Sequence, residues 1–239
     1  MHVIVRRFGM EVSLDRFLNR SDAGRQLAAR LATLSDFSNA IVFGLPRGGV
    51  PVAYEVAVEL NLPLDVIVVR KIGVPFQREV AMGAIGEDGV VVVEDEVIAA
   101  TNISSKEFAI VEARERAELG RRIEKFRGNR PPRSLVGRTA LIVDDGIATG
   151  ATSRAACRVA RARGAARVVL AVPVASARTA AEFRGEADEV VVLVAASGSF
   201  SVGQWYEEFD ETPDSEVVEC LRRASSRGFP FAEPGDAHV

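Results

Sequence analysis

Residues 140–152 read ALIVDDGIATGAT: four apolar residues run into two adjacent carboxylates, and a turn of small side chains follows. The apolar run has the character of a buried strand. The next stretch, TSRAACRVARAR from Thr152 to Arg163, has helical composition and stops at Gly164, a natural C′ glycine. The segment is therefore strand, acid pair, turn, helix. The first amides of a helix have no partner within it and point outward, and the helix dipole favours an anion there. Gly146, Ala148, Gly150 and Ala151 keep bulk out of that space, while Thr149 and Thr152 add hydroxyl donors. The turn reads as a phosphate cradle. It is neither a Walker A loop nor a GxGxxG turn, because no lysine follows the glycine and neither spacing is present.

Asp144 and Asp145 would repel a phosphate set beside them, so they need a hydrogen-bond donor or a positive charge. A ribose diol donates to carboxylates, and its C1 becomes cationic in a dissociative displacement. A sugar with its 5-phosphate in the turn and its hydroxyls at the acids meets both needs. Such a site lies at the carboxyl end of a central strand, where open α/β sheets bind ligands.

Three further groups could serve the same ligand. Arg47, Gly48 and Gly49 follow the apolar run AIVFG; a guanidinium there suits an anion with paired oxygens, and glycines allow close backbone approach. Arg70 and Lys71 precede residues 72–79, which lack a core period, carry Gly, Pro and charges including Arg78, and read as a long mobile loop. A mobile cationic loop could close over a reactive centre and exclude water. Trp205, Tyr206 and Phe209, in FSVGQWYEEF, offer faces that could stack a base or fasten the C-terminal segment to the core.

These residues need a rigid scaffold. Apolar runs at 40–44, 64–70, 139–143, 167–172 and 189–193 alternate with helix-like segments, which predicts strands buried on both faces: a doubly wound α/β fold with a mostly parallel sheet. Glu87-Asp88-Gly89 predicts a turn between two short apolar runs, hence a hairpin. Ser104 and Glu107 form a capping box for a helix to Phe126, whose apolar stripe Glu115 interrupts. One unit spans 1–227, its core at about 40–193 and a hood at about 197–225; the Pro/Gly-rich stretch at 228–239 reads as a disordered tail.

Composition narrows the choice of chemistry. A net charge of −3 gives no electrostatic footprint for nucleic acid. No apolar run is long enough to span a bilayer and the start lacks a signal-peptide pattern, so a cytoplasmic protein is expected. The two histidines, His2 and His238, stand at the ends, which leaves no His-based triad or metal site. Cys157 and Cys220 lack metal spacing and read as buried thiols. Any cation would be held by oxygen, which suggests magnesium.

The motif VDDGIATGAT resembles the phosphoribosyl-diphosphate (PRPP) signature of the type I phosphoribosyltransferases. Leu45-Pro46-Arg47-Gly48-Gly49 resembles that family's pyrophosphate loop, and Arg70-Lys71 the start of its flexible loop, in the family's order. RKIGVP, VDDGIATGAT and VGQWYEEF together resemble a bacterial group whose acceptor is not established. The resemblance implies transfer of the 5-phosphoribosyl group of PRPP to a nitrogenous acceptor with release of diphosphate, and Mg²⁺ held through the substrate near Asp144 and Asp145. It also implies a homodimer. Family members that act on 6-oxopurines carry an Asp where this chain has Ala148, which argues against that substrate class. A PRPP or nucleotide sensor on the same fold, or phosphorolysis or hydrolysis of a related ribose phosphate, stays open.

Overall fold

In the computed structural model, residues 3–4, 16–34, 36–128, 130–148, 150–196, 198 and 200–228 are described. Strands are β1 (Val3–Ile4), β2 (Ala40–Gly44), β3 (Leu64–Val66), β4 (Val69–Val74), β5 (Gln77–Gly86), β6 (Val91–Val93), β7 (Thr139–Val143), β8 (Arg167–Ser176) and β9 (Glu189–Ala196). Helices are α1 (Arg20–Leu31), α2 (Gly49–Glu59), α3 (Asp95–Thr101), α4 (Ser105–Arg127), α5 (Ala151–Ala162), α6 (Ala177–Ala181) and α7 (Asp214–Ser226).

Six strands form a parallel sheet in the order β1-β9-β8-β7-β2-β3. Alternate residues of each strand enter two different cores, as the two-residue period of a strand requires. Val42, Leu141, Val169 and Val191 pack under α1, α2 and α7, while Phe43, Ile142, Leu170 and Val192 pack under α5. Burial on both faces is why these strands read as unbroken apolar runs. The doubly wound α/β architecture predicted from the sequence is the one observed.

The chain leaves β2 for α2 and β3 on one side, and leaves β7 for α5 and β8 on the other. Neighbouring strands whose connections diverge open a crevice at their carboxyl ends. The register levels that crevice, since Gly44 pairs with Val143.

The second sheet, β4-β5-β6, is antiparallel. The turn at Glu87–Gly89 joins β5 to β6, with Asp88 in the left-handed region (φ 59°). One expectation is corrected here: residues 72–79 are not a long loop. They form the end of β4, a tight turn and the start of β5, because Ile72 and Val74 find a core to enter. The capping box at Ser104 and Glu107 is present.

A buried ion network fastens this sheet and α4 to the edge of the main sheet. Arg127, at the end of α4, bonds Asp65 of β3 (3.2 Å), both carboxylate oxygens of Glu87 and the carbonyl of Val66 (2.8 Å). Glu87 in turn accepts the amide of Val68 (3.1 Å). Removing one partner would strand buried charges. Arg127→Met should therefore lower stability by about 3–5 kcal/mol, read from the urea midpoint; an unchanged midpoint would show that the network holds nothing.

Candidate active site

The two turns that leave β2 and β7 touch. The amide of Leu45 donates to the carbonyl of Val143 (3.0 Å). A Cβ on Gly49 would lie 2.7 Å from that same carbonyl and 2.8 Å from Asp144 Cα. On Gly48 it would collide with Asp145 Oδ2. Glycine is thus required at both positions by proximity: Gly48 has an ordinary helical φ of −60°. The acid pair is wedged between the turns.

Asp144 is closed in by the start of α5 and by its own neighbour. Its Oδ1 accepts the amide of Asp145 (3.0 Å), and Ser153 Oγ lies 3.4 Å from its Oδ2. Loss of water raises its pKa well above the usual carboxylate range, and the Asp145 charge raises it further. Burial also raises the pKa of Asp145, against the pull of Arg20. Among the described residues, no cluster of three or more His, Cys, Asp or Glu is arranged to hold a metal directly.

Arg20 is the functional residue that sequence reasoning missed. From the first turn of α1 its Nε donates to Asp145 Oδ2 (2.9 Å) and its Nη1 to the carbonyl of Asp210 (2.7 Å), while its guanidinium lies 4.0 Å from the centre of the Phe209 ring. Asn19 caps the helix by accepting the amide of Asp22 (3.1 Å). Ala23, Leu27, Ala28 and Leu31 recur at helical spacing along α1, the one signal that could have revealed this helix.

The cradle follows. Ile147 bridges to Ala175 on the extended end of β8, its amide donating to Val174 (2.8 Å), and Thr179 donates to the carbonyl of Ala148 (3.2 Å). Gly150 takes the left-handed conformation (φ 78°) that starts α5. Thr149 lies outside the described residues. Gly146, packed against Val202 and Val174, has room for no side chain. Ala151 and Thr152 line a cavity of about 510 Å³ together with Lys71, Gly83, Arg154 and Arg158.

Lys71 therefore lines the cavity that Ala151 and Thr152 share, and Arg70 does not. Adjacent residues of a strand face opposite sides, and Arg70 turns to α4, where Nε and Nη2 bond Glu115 (2.9 and 2.7 Å). Glu115 interrupts the apolar stripe of α4 because it receives this arginine. The side chain of Arg78 lies outside the described residues.

Arg47 stands at the mouth of the crevice, paired with Glu211 and 3.9 Å from Asp214. Of the two roles open to it, stacking a base or fastening the C-terminal segment, Tyr206 takes the second. Its ring is 2 % exposed, packed with Phe17 and Phe209, and its hydroxyl donates to the carbonyl of Asp145 (2.6 Å). It positions the acid rather than offering a surface; half-buried Trp205 beside it can still offer one. The hood draws on both ends of the chain, for Phe17 donates to Trp205 and accepts from Glu207 (both 2.9 Å). The two cysteines are buried, as expected, and burial pushes their pKa up, to about 12 for Cys157 and about 11 for Cys220.

A strand-level crevice with two glycine-lined turns and an acid pair lies at the carboxyl ends of β2 and β7, and comparison with known proteins assigns the chain to a family. Residues 13–203 match the phosphoribosyl transferase domain, and the chain belongs to that family. Two Mycobacterium tuberculosis proteins, from strains CDC 1551 / Oshkosh and ATCC 25618 / H37Rv and provisionally named as phosphoribosyl transferases, are each 56% identical over 219 residues. The match covers 92% of this chain and 48% of theirs, so the chain spans about half the length of these curated relatives. A crystal structure of a protein from Thermus thermophilus is 41% identical with a TM-score of 0.78, over 87% of this chain and 98% of that one.

The raised pKa of Asp144 has a consequence for stability. A carboxyl whose folded pKa lies above its unfolded value stabilises the fold while protonated, and that contribution is lost as pH rises through the folded pKa. At neutral pH, where the unfolded carboxyl is ionised, burying this group works against folding. Asp144→Asn should raise stability at pH 7 by about 0.5–2 kcal/mol and gain less at pH 4. Thermal melts at the two pH values check this; a variant less stable than the parent at pH 7 would refute the assignment.

Proposed function

We propose that the protein transfers the 5-phosphoribosyl group of PRPP to a nitrogenous acceptor and releases diphosphate. The observation that carries this reading is the contact between the turns that leave β2 and β7, which brings two glycines, the acid pair and the start of α5 together. The 5-phosphate would sit on residues 148–152, the ribose hydroxyls would donate to Asp144 and Asp145, and the diphosphate would lie along Arg47, Gly48 and Gly49. Lys71 lines the cavity that Ala151 and Thr152 share and would meet the phosphates from there.

In the reaction, the acceptor nitrogen gives its lone pair to C1 as the bond from C1 to the diphosphate oxygen breaks, and that bond's electron pair leaves on the diphosphate. Asp144 and Asp145 hold the ribose so that the cationic carbon faces the acceptor. Arg20 and Tyr206 hold Asp145 from two sides. Such catalysis rests on positioning and on charge already in place. The hard carboxylate oxygens suit Mg²⁺ carried in by the substrate, which keeps most of its ligands as water and phosphate oxygen; when bound, it would offset charge on the leaving group. The methyl group of Ala148 cannot assist a purine N7, so the acceptor is not expected to be a 6-oxopurine. A homodimer at work in the cytoplasm completes the reading. No helix of the described residues is long and apolar enough to cross a membrane.

Calorimetric titration with PRPP, with and without Mg²⁺, tests binding, and diphosphate release over a panel of bases tests transfer. Asp144→Asn with Asp145→Asn should cut turnover by about 10²-fold or more in a protein that still folds. Unchanged turnover in that double variant would end the assignment, and binding without release would make the protein a sensor of PRPP.

A further inference from the structure

The subsite assigned to the diphosphate is already occupied. Arg47 Nη2 donates to Glu211 Oε1, and Nη1 lies 3.9 Å from Asp214 Oδ1. A carboxylate thus stands where the proposed function places the oxygens of the leaving group. A guanidinium edge that holds a carboxylate must give it up before it takes a phosphate in the same place.

The two acids are not held alike. Asp214 belongs to the first turn of α7, where the helix dipole favours a carboxylate, and Lys125 of α4 donates to its other oxygen. Glu211 precedes that helix. Its side chain is 77 % exposed and bonds to Arg47 alone among the described residues. The backbone around it is lightly tied: among the described residues, no backbone–backbone hydrogen bond reaches 209–212. Arg20 supports the segment from the crevice side, through the carbonyl of Asp210 (2.7 Å) and the face of Phe209 (4.0 Å), and buried Thr212 anchors it next to Glu211. Glu211 can therefore leave Arg47 for solvent by rotating its own side chain, with the backbone in place. An exposed ion pair shifts an equilibrium by about two- to fivefold, enough to compete with an anion and too little to exclude one. A diphosphate brings oxygens from two phosphate groups and more charge than a carboxylate, and so displaces Glu211. After the bond to C1 breaks, the same carboxylate is the local replacement that lets the diphosphate go.

We propose that Glu211 is the resting partner of Arg47 and a release residue: it yields Arg47 to the diphosphate end of PRPP and takes it back as free diphosphate leaves. This rests on the reading that lays the diphosphate along Arg47. Glu211 acts through Arg47 and touches no reacting atom. It weakens the binding of diphosphate and of PRPP by a common factor, and leaves ribose 5-phosphate, which has no group for Arg47, unaltered.

Calorimetric titration of the full chain with Mg²⁺ compares diphosphate, PRPP and ribose 5-phosphate in the parent and in Glu211→Gln. The variant should bind diphosphate and PRPP about two- to fivefold more tightly and ribose 5-phosphate as the parent does. Stopped-flow displacement should show diphosphate leaving the variant more slowly by a similar factor. Glu207→Gln removes another exposed acid from the same segment and should change none of the three affinities. A merely structural role for Glu211 would loosen all three ligands instead. Unchanged or weaker diphosphate binding in Glu211→Gln, release as fast as in the parent, or an equal gain in Glu207→Gln would overturn the proposal, while PRPP binding by the parent would leave the transferase reading standing. Failure of the parent to bind either PRPP or diphosphate would overturn both.

Discussion

The pairing of Gly44 with Val143 is the constraint on which the rest of the site depends. Because β2 and β7 end level, the turns that follow them leave the sheet side by side and must share one space. Sharing it forces glycine at 48 and 49, forces the acids at 144 and 145 against them, and directs α2 and α5 away on opposite sides. A one-residue slip would exchange the faces of a whole strand, moving Val42 and Phe43 into each other's cores, so the two hydrophobic layers fix the register that the ligand needs. The chemistry at the crevice is thus guarded by packing some distance beneath it.

Placing two carboxylates there is costly, and the surrounding chain offsets the cost in different ways for each. Asp145 has a guanidinium on its side chain and a phenol on its carbonyl. Asp144 has only an amide and a distant hydroxyl, which is why its charged form is the less comfortable of the two. The asymmetry separates their tasks. One acid is held by the hood, and the other has no hood partner among the described residues.

The parts of the site that lie close in sequence were legible, because strand, acids, turn and helix N-terminus follow one another within residues 139–162 and their order carries the chemistry. Contacts made across the chain were not. Arg20 meets Asp145 from 125 residues away, and a polar helix start gives no sign of its partner. Arg70 and Lys71 look equivalent in sequence, yet the strand sends one to α4 and the other to the cavity beside α5; the reading of residues 72–79 as loop hid the strand period that separates them. Glu115, visible as a flaw in an apolar stripe, was the other half of that pair. Tyr206 is an aromatic in a polar segment, and only its burial shows which end of the side chain is used.

The hood joins segments that are synthesised far apart in time. Arg20 precedes β2, whereas Tyr206, Phe209 and Asp210 follow β9, yet all four meet at Asp145 or at the guanidinium that holds it. Strands β2, β3, β7, β8 and β9 can pair as they appear, but the second acid stays without its clamp until the segment after β9 is available. A chain that stopped after β9 would carry a finished start of α5 and an acid pair without the aromatic and arginine contacts of the hood.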